Sequence, residues 1–411
     1  MKILIAPKEF PHSKVIGGPI LVYNRIKYLS RRHEIGLASF IREEDRQYLS
    51  SIEPYLSDLA LMPHPQPRSR FRRIMDFLSS EVPPYMCNTK SPKMRKTVAK
   101  MTRQGDYDVV IAEYTVMGQY VHRSNPEINP RTKRVISCHE CYTIARKKVR
   151  DHYGVFSQLG FGAMLDLRRL ESYEFEMYRQ ADKVLTLTPE EKESVLKYDP
   201  TLDIEVVPHG VDTDYFIPRS GQVQETAVGF LGNYPHDPNR DAVMYFLTEM
   251  WAELKRRVSG IKFYVIGRGP TKDILAAARE DHDIIVTGQV DDVREYLEKV
   301  KVFVAPIRLG KGFRGKILEA MAMAIPVVST RLGAEGIAVR DRDNIMLAES
   351  PEEFVRVTEE LFQDGELCRR IGLNGRRLAE ENYSWGKGVE ILEDVLERLV
   401  QRKNDGVLSR R

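Results

Sequence analysis

The sequence predicts an α/β protein with two domains, each built on a parallel β-sheet. Short apolar runs bounded by Gly, Pro or Asp alternate with longer amphipathic stretches, which is the pattern of buried parallel strands and their covering helices. The series breaks near the middle of the chain and then restarts. A length of 411 residues is too long for one ordinary hydrophobic core and short for three, so it also favours two domains.

The first predicted domain spans residues 1–208. Its apolar runs predict six strands: Lys2 to Ala6, Glu34 to Phe40, Val109 to Ala112, Arg134 to Ser137, Lys183 to Thr186 and Glu205 to Val207. The segment from Met164 to Ala181 carries Leu, Tyr and Phe at helical spacing, so it predicts a helix that leads into one of these strands.

A cluster of turn-forming residues predicts a linker over residues 209–222, around Pro208 to Asp214 and Pro218. The second domain, residues 223–384, is predicted to be a smaller Rossmann-like unit. Its strands are Thr226 to Leu231, Lys262 to Ile266, Ile284 to Thr287, Val302 to Ala305 and Pro326 to Ser329.

Residues 385–411 form a predicted C-terminal helix whose apolar side chains lie on one face, so it could return to pack on the first domain. These side chains are Val389, Leu392, Val395, Leu396 and Leu399.

Composition predicts a folded cytoplasmic protein. Hydrophobic residues make up 42% of the chain and charged residues 30%, and the four cysteines are few for this length, which favours a reducing compartment. The N-terminus lacks the apolar core of a signal peptide, and no stretch is apolar enough to span a bilayer. Cys138 and Cys141 flank His139 and Glu140, but no second Cys/His pair stands at ligand spacing, so we expect no metal site.

One basic stretch, from Arg68 to Arg103, stands out from a chain whose formal net charge is only +4. Its cations are Arg68, Arg70, Arg72, Arg73, Lys90, Lys93, Arg95, Lys96, Lys100 and Arg103. The stretch could face anionic lipid at the cytoplasmic side of a membrane, or a phosphorylated acceptor. A solvated helical face is an equally good interpretation, and we do not expect nucleic acid as the partner.

The strongest pattern is a glycine-spaced loop that opens a helix after the strand ending at Ala305. The unpaired N–H groups and the positive dipole end of such a helix suit a diphosphate. Arg314 can bind phosphate oxygens bidentately and Lys316 adds a point charge, while Glu319 can accept two hydroxyls of a ribose. Alternatively, Glu319 only complements the helix dipole. The predicted donor-binding residues here are Gly312, Phe313, Arg314, Gly315, Lys316, Leu318 and Glu319.

With Leu318 to Ala322 followed by Pro326 to Val328, the chain resembles the retaining glycosyltransferases of family 4. That resemblance covers nearly the whole chain and implies the GT-B fold, in which two Rossmann-like domains face a central cleft. It implies that Glu319 is the second family glutamate, which binds the nucleotide ribose. The first family glutamate would fall at Lys311, so this chain departs from the family pattern there. The departure leaves the identity of the donor sugar open. The loop resembles that of a subgroup that reads Lys-Ile-Leu-Glu-Ala-Met-Ala.

Other segments resemble the donor-binding loops of the same family. Gly232 and Asn233 follow the first strand of the second domain, Arg268 lies in a Gly-x-Gly turn, and Val290 lies in the segment beside the nucleotide base. The early basic residue of the family is not evident, although Arg240 could take its place. In the first domain, the resemblance implies that the loop containing Gly17 and Gly18 faces the donor phosphate, because two glycines let the backbone approach closely.

His139 is the predicted catalytic residue. It follows the strand Val135 to Ser137, and a polar side chain at the carboxyl end of a strand points into the crevice where α/β proteins bind ligands. It matches the family histidine near the donor sugar, with Glu140 where Asp is common. A hydrogen-bonded structural histidine is the alternative.

We therefore expect a sugar to move, with retention, from a nucleoside diphosphate donor to a hydroxyl of a glycan or lipid-linked saccharide. The resemblance implies neither a metal nor another cofactor. One alternative is a sugar-nucleotide epimerase of similar fold. Another is a nucleotide-sugar-binding subunit that has lost turnover because Lys311 replaces a glutamate.

Overall fold

A computed structural model describes residues 1–13, 18–66, 68–69, 75–76, 80, 82–122, 125–153, 166–218, 225–310 and 313–408. The chain divides into two compact units. The first comprises Met1–Pro208 together with Val389–Arg411, and the second comprises His209–Gly388. Both contain a wholly parallel sheet with helices, so the predicted α/β fold class is confirmed.

The first unit contains a seven-stranded sheet. Its strands are β1 (Lys2–Pro7), β2 (Glu34–Ile41), β3 (Asp58–Pro63), β4 (Val109–Glu113), β5 (Lys133–Cys138), β6 (Lys183–Thr186) and β7 (Ile204–Val206). They lie in the order β3-β2-β1-β4-β5-β6-β7, and every neighbouring pair is parallel. The sequence pattern missed β3 because it is an edge strand whose side chains are mostly half-buried, so its apolar run is short.

The helices of this unit connect successive strands. They are α1 (Gly18–Leu29), α2 (Pro84–Cys87), α3 (Pro92–Gln104), α4 (Gly118–Val121), α5 (Tyr142–Tyr153), α6 (Leu167–Gln180) and α7 (Pro189–Leu196), with 3₁₀ turns at Glu43–Ser51, Glu53–Tyr55 and Thr115–Met117. Some begin at recognisable start signals. For example, the Ser91 side chain caps α3 by accepting a hydrogen bond from the Met94 backbone, with Pro92 at the first helical position.

The second unit contains a six-stranded parallel sheet in the order β10-β9-β8-β11-β12-β13. Its strands are β8 (Ala227–Leu231), β9 (Lys262–Ile266), β10 (Ile284–Gly288), β11 (Val302–Ala305), β12 (Val327–Ser329) and β13 (Met346–Leu347). Its helices are α8 (Asp237–Phe246), which continues through a π turn at Leu247–Trp251 into α9 (Ala252–Arg257), then α10 (Lys272–Glu280), α11 (Arg294–Leu297), α12 (Gly315–Ala322), α13 (Pro351–Gln363) and α14 (Gly365–Tyr383). The sequence pattern missed β13 because two residues are too few to show a period.

The last helix is α15 (Trp385–Leu408). From Val389 onward it belongs to the first unit. The stripe of Leu392, Val395 and Leu396 packs in the core cluster that also contains residues of β1, β2 and α1. Tertiary packing of an apolar face is what stabilises most protein helices. Within the described residues, no helix is long and apolar enough to cross a membrane.

Each sheet has one place where the strand order reverses direction. It lies between β1 and β4 in the first unit, and between β8 and β11 in the second. Open α/β sheets bind ligands at such switch points, outside the carboxyl ends of the strands, because the loops there diverge and leave a crevice. We therefore expect functional side chains at these two places.

Candidate functional site

The loops that follow β8 and β9 contact each other backbone to backbone, and β8 is one of the two strands that border the second switch point. The Gly232 N–H donates to the Ile266 carbonyl at 2.9 Å, and the Tyr234 N–H donates to the Arg268 carbonyl at 3.1 Å. Gly267 has a φ of +123°, and a Cβ at this position would lie 2.0 Å from the Gly232 carbonyl oxygen. Only glycine therefore fits there, which explains the Gly-x-Gly turn seen in the sequence.

A chain of hydrogen bonds joins several predicted donor-binding residues. The Arg268 guanidinium Nε donates to Asn233 Oδ1 at 3.1 Å. Asn239 Nδ2 donates to the Asn233 carbonyl at 2.9 Å, and Lys316 Nζ donates to Asn239 Oδ1 at 2.6 Å. Three residues that were predicted separately from the sequence are thus brought together through Asn239, which was not predicted.

Helix α12 begins at Gly315, next to this chain of hydrogen bonds. Among the described residues, no side chain caps its first turn, and no acidic residue lies in that turn, so the N-terminal N–H groups keep their positive potential. A Cβ on Gly315 would meet no described atom within 4 Å. Within the described part of the chain, the helix start therefore has room for an anion.

Lys316 and Glu319 lie partly buried near the start of α12. Burial lowers the pKa of Lys316 to about 7, with nearby Arg314 acting in the same direction and Glu319 opposing it. Burial likewise raises the pKa of Glu319 to about 7, against the pull of Lys316. Among the described residues, the Glu319 carboxylate makes no hydrogen bond, so it is open to hydroxyl donors. Lys316 Nζ also lies 4.3 Å from the centroid of the Phe230 ring.

Other cationic groups surround the same helix start. Arg314 is partly buried, and burial lowers its pKa while Glu335 opposes the shift. The pKa of His236 is also lowered, first by burial and then by the positive charges of Lys316 and Arg314. A multivalent anion would relieve this repulsion, because each added negative charge favours the protonated forms.

The remaining predicted residues of the second unit are placed differently. The Phe313 ring stacks on His209 with centroids 5.1 Å apart and lies 6.1 Å from Tyr383. The side chain of Leu318 lies in the hydrophobic core, and that of Val290 packs against it. Only the backbone of Leu318 could therefore offer polar groups to a donor. Arg240 is exposed and forms an ion pair with Asp273 at 2.6 Å, so its charge is already engaged. Lys311 and Gly312 lie outside the described residues.

A second constellation, almost fully buried, lies at the switch point of the first unit. The Arg25 guanidinium, only 2% exposed, donates from Nη1 to both Glu113 carboxylate oxygens at 2.7 and 3.0 Å and to Ser137 Oγ at 2.9 Å. His139 Nε2 lies 2.8 Å from Glu113 Oε2. Burial would raise the pKa of Glu113, but Arg25 and His139 outweigh it and hold that pKa at about 2. We name Arg25, Glu113, Ser137 and His139 the buried network.

Tyr114 covers this network. Its ring stacks on His139 with centroids 4.0 Å apart, and its backbone has a φ of +75°, which is uncommon for a bulky residue. A Cβ on Gly18 would lie 2.1 Å from the Tyr114 hydroxyl oxygen. Gly18 therefore lets helix α1 start against the tyrosine. Gly17 lies outside the described residues.

The sequence pattern did not predict Arg25, Glu113, Tyr114 or Asn239. Glu113 ends a strand whose other residues are apolar, and a carboxylate at the end of a buried strand is the one signal that could have found it. Arg25 lies on the buried side of α1, next to Asn24 and Ile26, and is 2% exposed. Such an arginine needs a buried partner, but the sequence does not say which one.

The cysteines near His139 are buried thiols. Burial raises the pKa of both Cys138 and Cys141, and the Tyr178 hydroxyl donates to Cys138 Sγ at 3.2 Å. In the parts of the chain that the structure describes, no three His, Cys, Asp or Glu side chains are grouped as metal ligands.

Within the basic stretch, Lys93, Lys96 and Lys100 are exposed on α3 and line one shallow groove. Arg68 instead turns inward, where it forms an ion pair with Asp76 at 3.0 Å and donates to the Cys87 carbonyl. Arg70, Arg72 and Arg73 lie outside the described residues. The exposed charge that the structure describes is therefore concentrated on the outer face of one helix.

Two protein-family models match the chain, one in each half. Residues 17–215 match the model described as Glycosyltransferase Family 4, and residues 225–364 match the model described as Glycosyl transferases group 1. Most of the chain is thus accounted for by glycosyltransferase families.

Several proteins with similar sequences are also named as glycosyltransferases. The chain is 26% identical over 161 residues to glycosyltransferase 1 domain-containing protein 1 of Xenopus tropicalis, which covers 38% of the chain and 45% of that protein. It is 27% identical over 201 residues to the putative glycosyltransferase EpsD of Bacillus subtilis, covering 45% of the chain and 52% of EpsD. The chain thus spans about half the length of these two relatives. It is also 23% identical over 422 residues to D-inositol 3-phosphate glycosyltransferase of Saccharomonospora viridis, covering 96% of the chain and 92% of the relative.

Solved structures show the same fold. Sucrose-phosphate synthase of Thermosynechococcus elongatus superposes with a TM-score of 0.71 at 16% identity, covering 98% of this chain and 99% of that one. Anabaena HepE in complex with UDP-glucose superposes with a TM-score of 0.66 at 13% identity, covering 97% and 100%. The predicted GT-B fold is confirmed, and each half of the chain matches a glycosyltransferase family model.

Proposed function

We propose that the chain transfers a sugar from a nucleoside diphosphate donor to a hydroxyl of a glycan or lipid-linked saccharide, with retention at the anomeric carbon. The observation that carries the proposal is the uncapped start of α12, where Lys316 and Arg314 lie beside a Glu319 carboxylate that bonds to none of the described residues. Cations and helix dipole suit the diphosphate, and the carboxylate suits the ribose diol. HepE, of the same fold, is known in complex with UDP-glucose, so UDP-sugars are the first donors to test.

The bond changes assign a role to each group. The bond between the anomeric carbon and the diphosphate oxygen breaks, the acceptor oxygen bonds to that carbon, and the proton of the acceptor hydroxyl passes to the leaving diphosphate oxygen. Negative charge develops on the leaving diphosphate. Lys316, Arg314 and the α12 N–H groups would stabilise this charge through fixed dipoles and cations, and such electrostatic stabilisation dominates the rate enhancement of many enzymes. In this proposal side chains supply the positive charge, so no metal is required.

In the first unit, His139 would contact a sugar hydroxyl near the reacting carbon. It lies at the carboxyl edge of the sheet beside the switch point, where α/β proteins bind ligands. No pair of carboxylates is assigned as nucleophile and acid, and the sequence alternative of an epimerase has no structural observation in its favour.

Mass spectrometry tests the reaction. The full chain is incubated with UDP-, GDP- and ADP-sugars and a lipid and glycan extract. A transferase releases the nucleoside diphosphate and yields a glycosylated acceptor, whereas an epimerase yields only a new sugar isomer, and a binding subunit yields neither. The Glu319→Gln variant should lose product. The matched control, Glu253→Gln, alters a partly exposed glutamate on α9 that pairs with neighbouring arginines, and should retain it.

We further propose that α3 rests on an anionic membrane surface, where a lipid-linked acceptor would be found. The exposed lysines Lys93, Lys96 and Lys100 carry this proposal. Each cation near an anionic surface contributes about 1 kcal/mol of attraction. Sedimentation with phosphatidylserine vesicles should be salt-sensitive and should weaken when all three lysines are changed to glutamine. If the unchanged chain and the triple variant sediment equally, or if neither sediments, α3 is not a membrane-binding surface.

A further inference from the structure

The buried network uses only one of the two ring nitrogens of His139. Nε2 contacts the Glu113 carboxylate at 2.8 Å, and in the described part of the chain Nδ1 makes no hydrogen bond. The two ring nitrogens of a neutral histidine have opposite roles, one donor and one acceptor. Whatever fixes the role of Nε2 therefore also fixes how Nδ1 meets a ligand.

We propose that Glu113, held by Arg25, is a positioning residue that locks His139 in the tautomer protonated at Nε2, so that Nδ1 accepts a hydrogen bond from a substrate hydroxyl. The assignment of a sugar or acceptor hydroxyl as that ligand rests on the proposed function. The lock itself rests only on contacts within the first unit.

Glu113 acts as an acceptor in this network. Both of its oxygens receive the Arg25 guanidinium, at 2.7 and 3.0 Å, and the carboxylate is fully buried. An ionised carboxylate has no proton to donate, so the short contact to His139 Nε2 requires the proton to be on the histidine. The low pKa of Glu113, near 2, is consistent with this ionised form.

Tyr114 prevents the ring from turning to the other arrangement. Its ring stacks on His139 at 4.0 Å and is itself held against Gly18. Rotation of the imidazole would also remove the only hydrogen bond that Nε2 makes among the described residues. The charged and titratable groups that face this assembly are Arg25, Glu113, Tyr114, Glu9 and Tyr142. Of these, only Glu113 is within hydrogen-bond distance of the His139 ring.

The lock has a chemical consequence for specificity. A lone pair at Nδ1 attracts a hydroxyl and rejects a group that cannot donate a hydrogen bond. A site built around a substrate hydroxyl discriminates strongly against an analogue that lacks it, because the buried polar atom is then left unpaired. Glu113 and Arg25 would thus tune catalysis without touching the substrate.

Nitrogen NMR of the full chain, labelled with ¹⁵N-histidine, tests the lock without any substrate. The His139 signal is assigned by its loss in His139→Gln. We expect the proton at Nε2 and an unprotonated Nδ1 at neutral pH. A proton at Nδ1, or rapid exchange between both tautomers, would overturn the proposal. Because this readout needs no turnover, it can succeed even where every donor sugar fails to react, which separates it from the proposed function.

Variants test the effect on catalysis. Glu113→Gln alone leaves Arg25 buried and charged without its partner, and could fail to fold. The pair Arg25→Met with Glu113→Leu removes both charges together with the acceptor of the His139 Nε2–H, and is the variant to compare. We expect its kcat to fall at least tenfold, the scale on which orienting partners act, while UDP affinity stays unchanged because the α12 site is intact.

The decisive control repeats the paired change in a His139→Ala background. If Arg25 and Glu113 act only through the histidine, the paired change should have no further effect on kcat there. A further tenfold loss would show that the pair acts by another route and would overturn the proposal, as would an unchanged kcat when His139 is present.

Discussion

The charged side chains at the two switch points differ in their hydrogen-bond partners. Among the described residues of the second unit, Lys316 donates a hydrogen bond to one neutral amide, that of Asn239, and the Glu319 carboxylate accepts none. In the first unit, the buried ions Arg25 and Glu113 neutralise each other at 2.7 Å, and Ser137 and His139 complete the network. Both places lie at the carboxyl edge of a parallel sheet, where ligands bind.

This difference indicates two separate tasks. A partly buried lysine whose charge is not matched by a hydrogen-bonded carboxylate among the described residues suits an external anion, and burial lowers the pKa of Lys316 and raises that of Glu319. A buried pair with matched charges fixes geometry and needs no ligand. We therefore expect variants of the second unit to lose binding and variants of the first to lose stability or orientation.

The largest expected effect is on stability, from Glu113→Ala. Removing one partner of a buried ion pair leaves Arg25 uncompensated and should lower the free energy of unfolding by about 3–5 kcal/mol. Urea unfolding followed by near-UV circular dichroism measures this. Arg46→Ala, which breaks the exposed pair with Glu43, is the control and should cost less than about 1 kcal/mol. Equal losses of unfolding free energy in the two variants would contradict a structural role for the buried pair in the first unit.

The next effect is on nucleotide affinity, from Glu319→Ala. Losing charge-assisted hydrogen bonds to two hydroxyls should weaken UDP binding about 10- to 100-fold. The fold should stay intact, because no described residue depends on this carboxylate for a hydrogen bond. Isothermal titration calorimetry gives the affinity and circular dichroism checks the fold. An unchanged affinity for UDP would show that the ribose does not bind to Glu319.

A smaller effect should follow from Gly18→Ala. The added methyl would overlap the Tyr114 hydroxyl and push the ring off His139, at a cost of about 1–3 kcal/mol for overpacking. Combining it with Tyr114→Phe should recover part of the stability, because the nearest clashing atom is then removed. Thermal melts of the single and double variants measure this. No recovery in the double variant would show that the clash lies with the helix start itself.

The smallest effect is the pH dependence of diphosphate affinity. Lys316, with its pKa lowered to about 7, is charged below that pH and loses its proton above it. Binding a diphosphate above pH 7 must then take up a proton, so affinity should fall as pH rises, by at most about tenfold per unit. Titration at pH 7 to 9 measures the fall. Lys316→Arg, which keeps its charge, should give a flatter profile, and identical slopes would exclude Lys316 as the source.

Much of the fold was predictable because its signals are local. Of the thirteen strands in the described part of the chain, eleven correspond to runs predicted from apolar periodicity. Those runs are local because a buried parallel strand must be apolar on both faces. The α12 site was predictable for the same reason, since its glycines, Lys316 and Glu319 all lie within one loop and helix start. Asn239, which joins Lys316 to the β8 loop, was not, because the contact spans 77 positions of the chain.

The sequence by itself determined the two parallel α/β units, the amphipathic last helix, the glycosyltransferase resemblance and the cationic start of α12. Only the tertiary structure decided that Arg25, Glu113 and His139 form one network and that Tyr114 covers it. Arg25 lies 88 positions from Glu113 and 112 from Ser137, and no local pattern reports which buried charge meets which. The physical reason is that strand and helix periods are set by neighbouring residues, whereas the pairing of buried ions is set by the order in which strands assemble into a sheet.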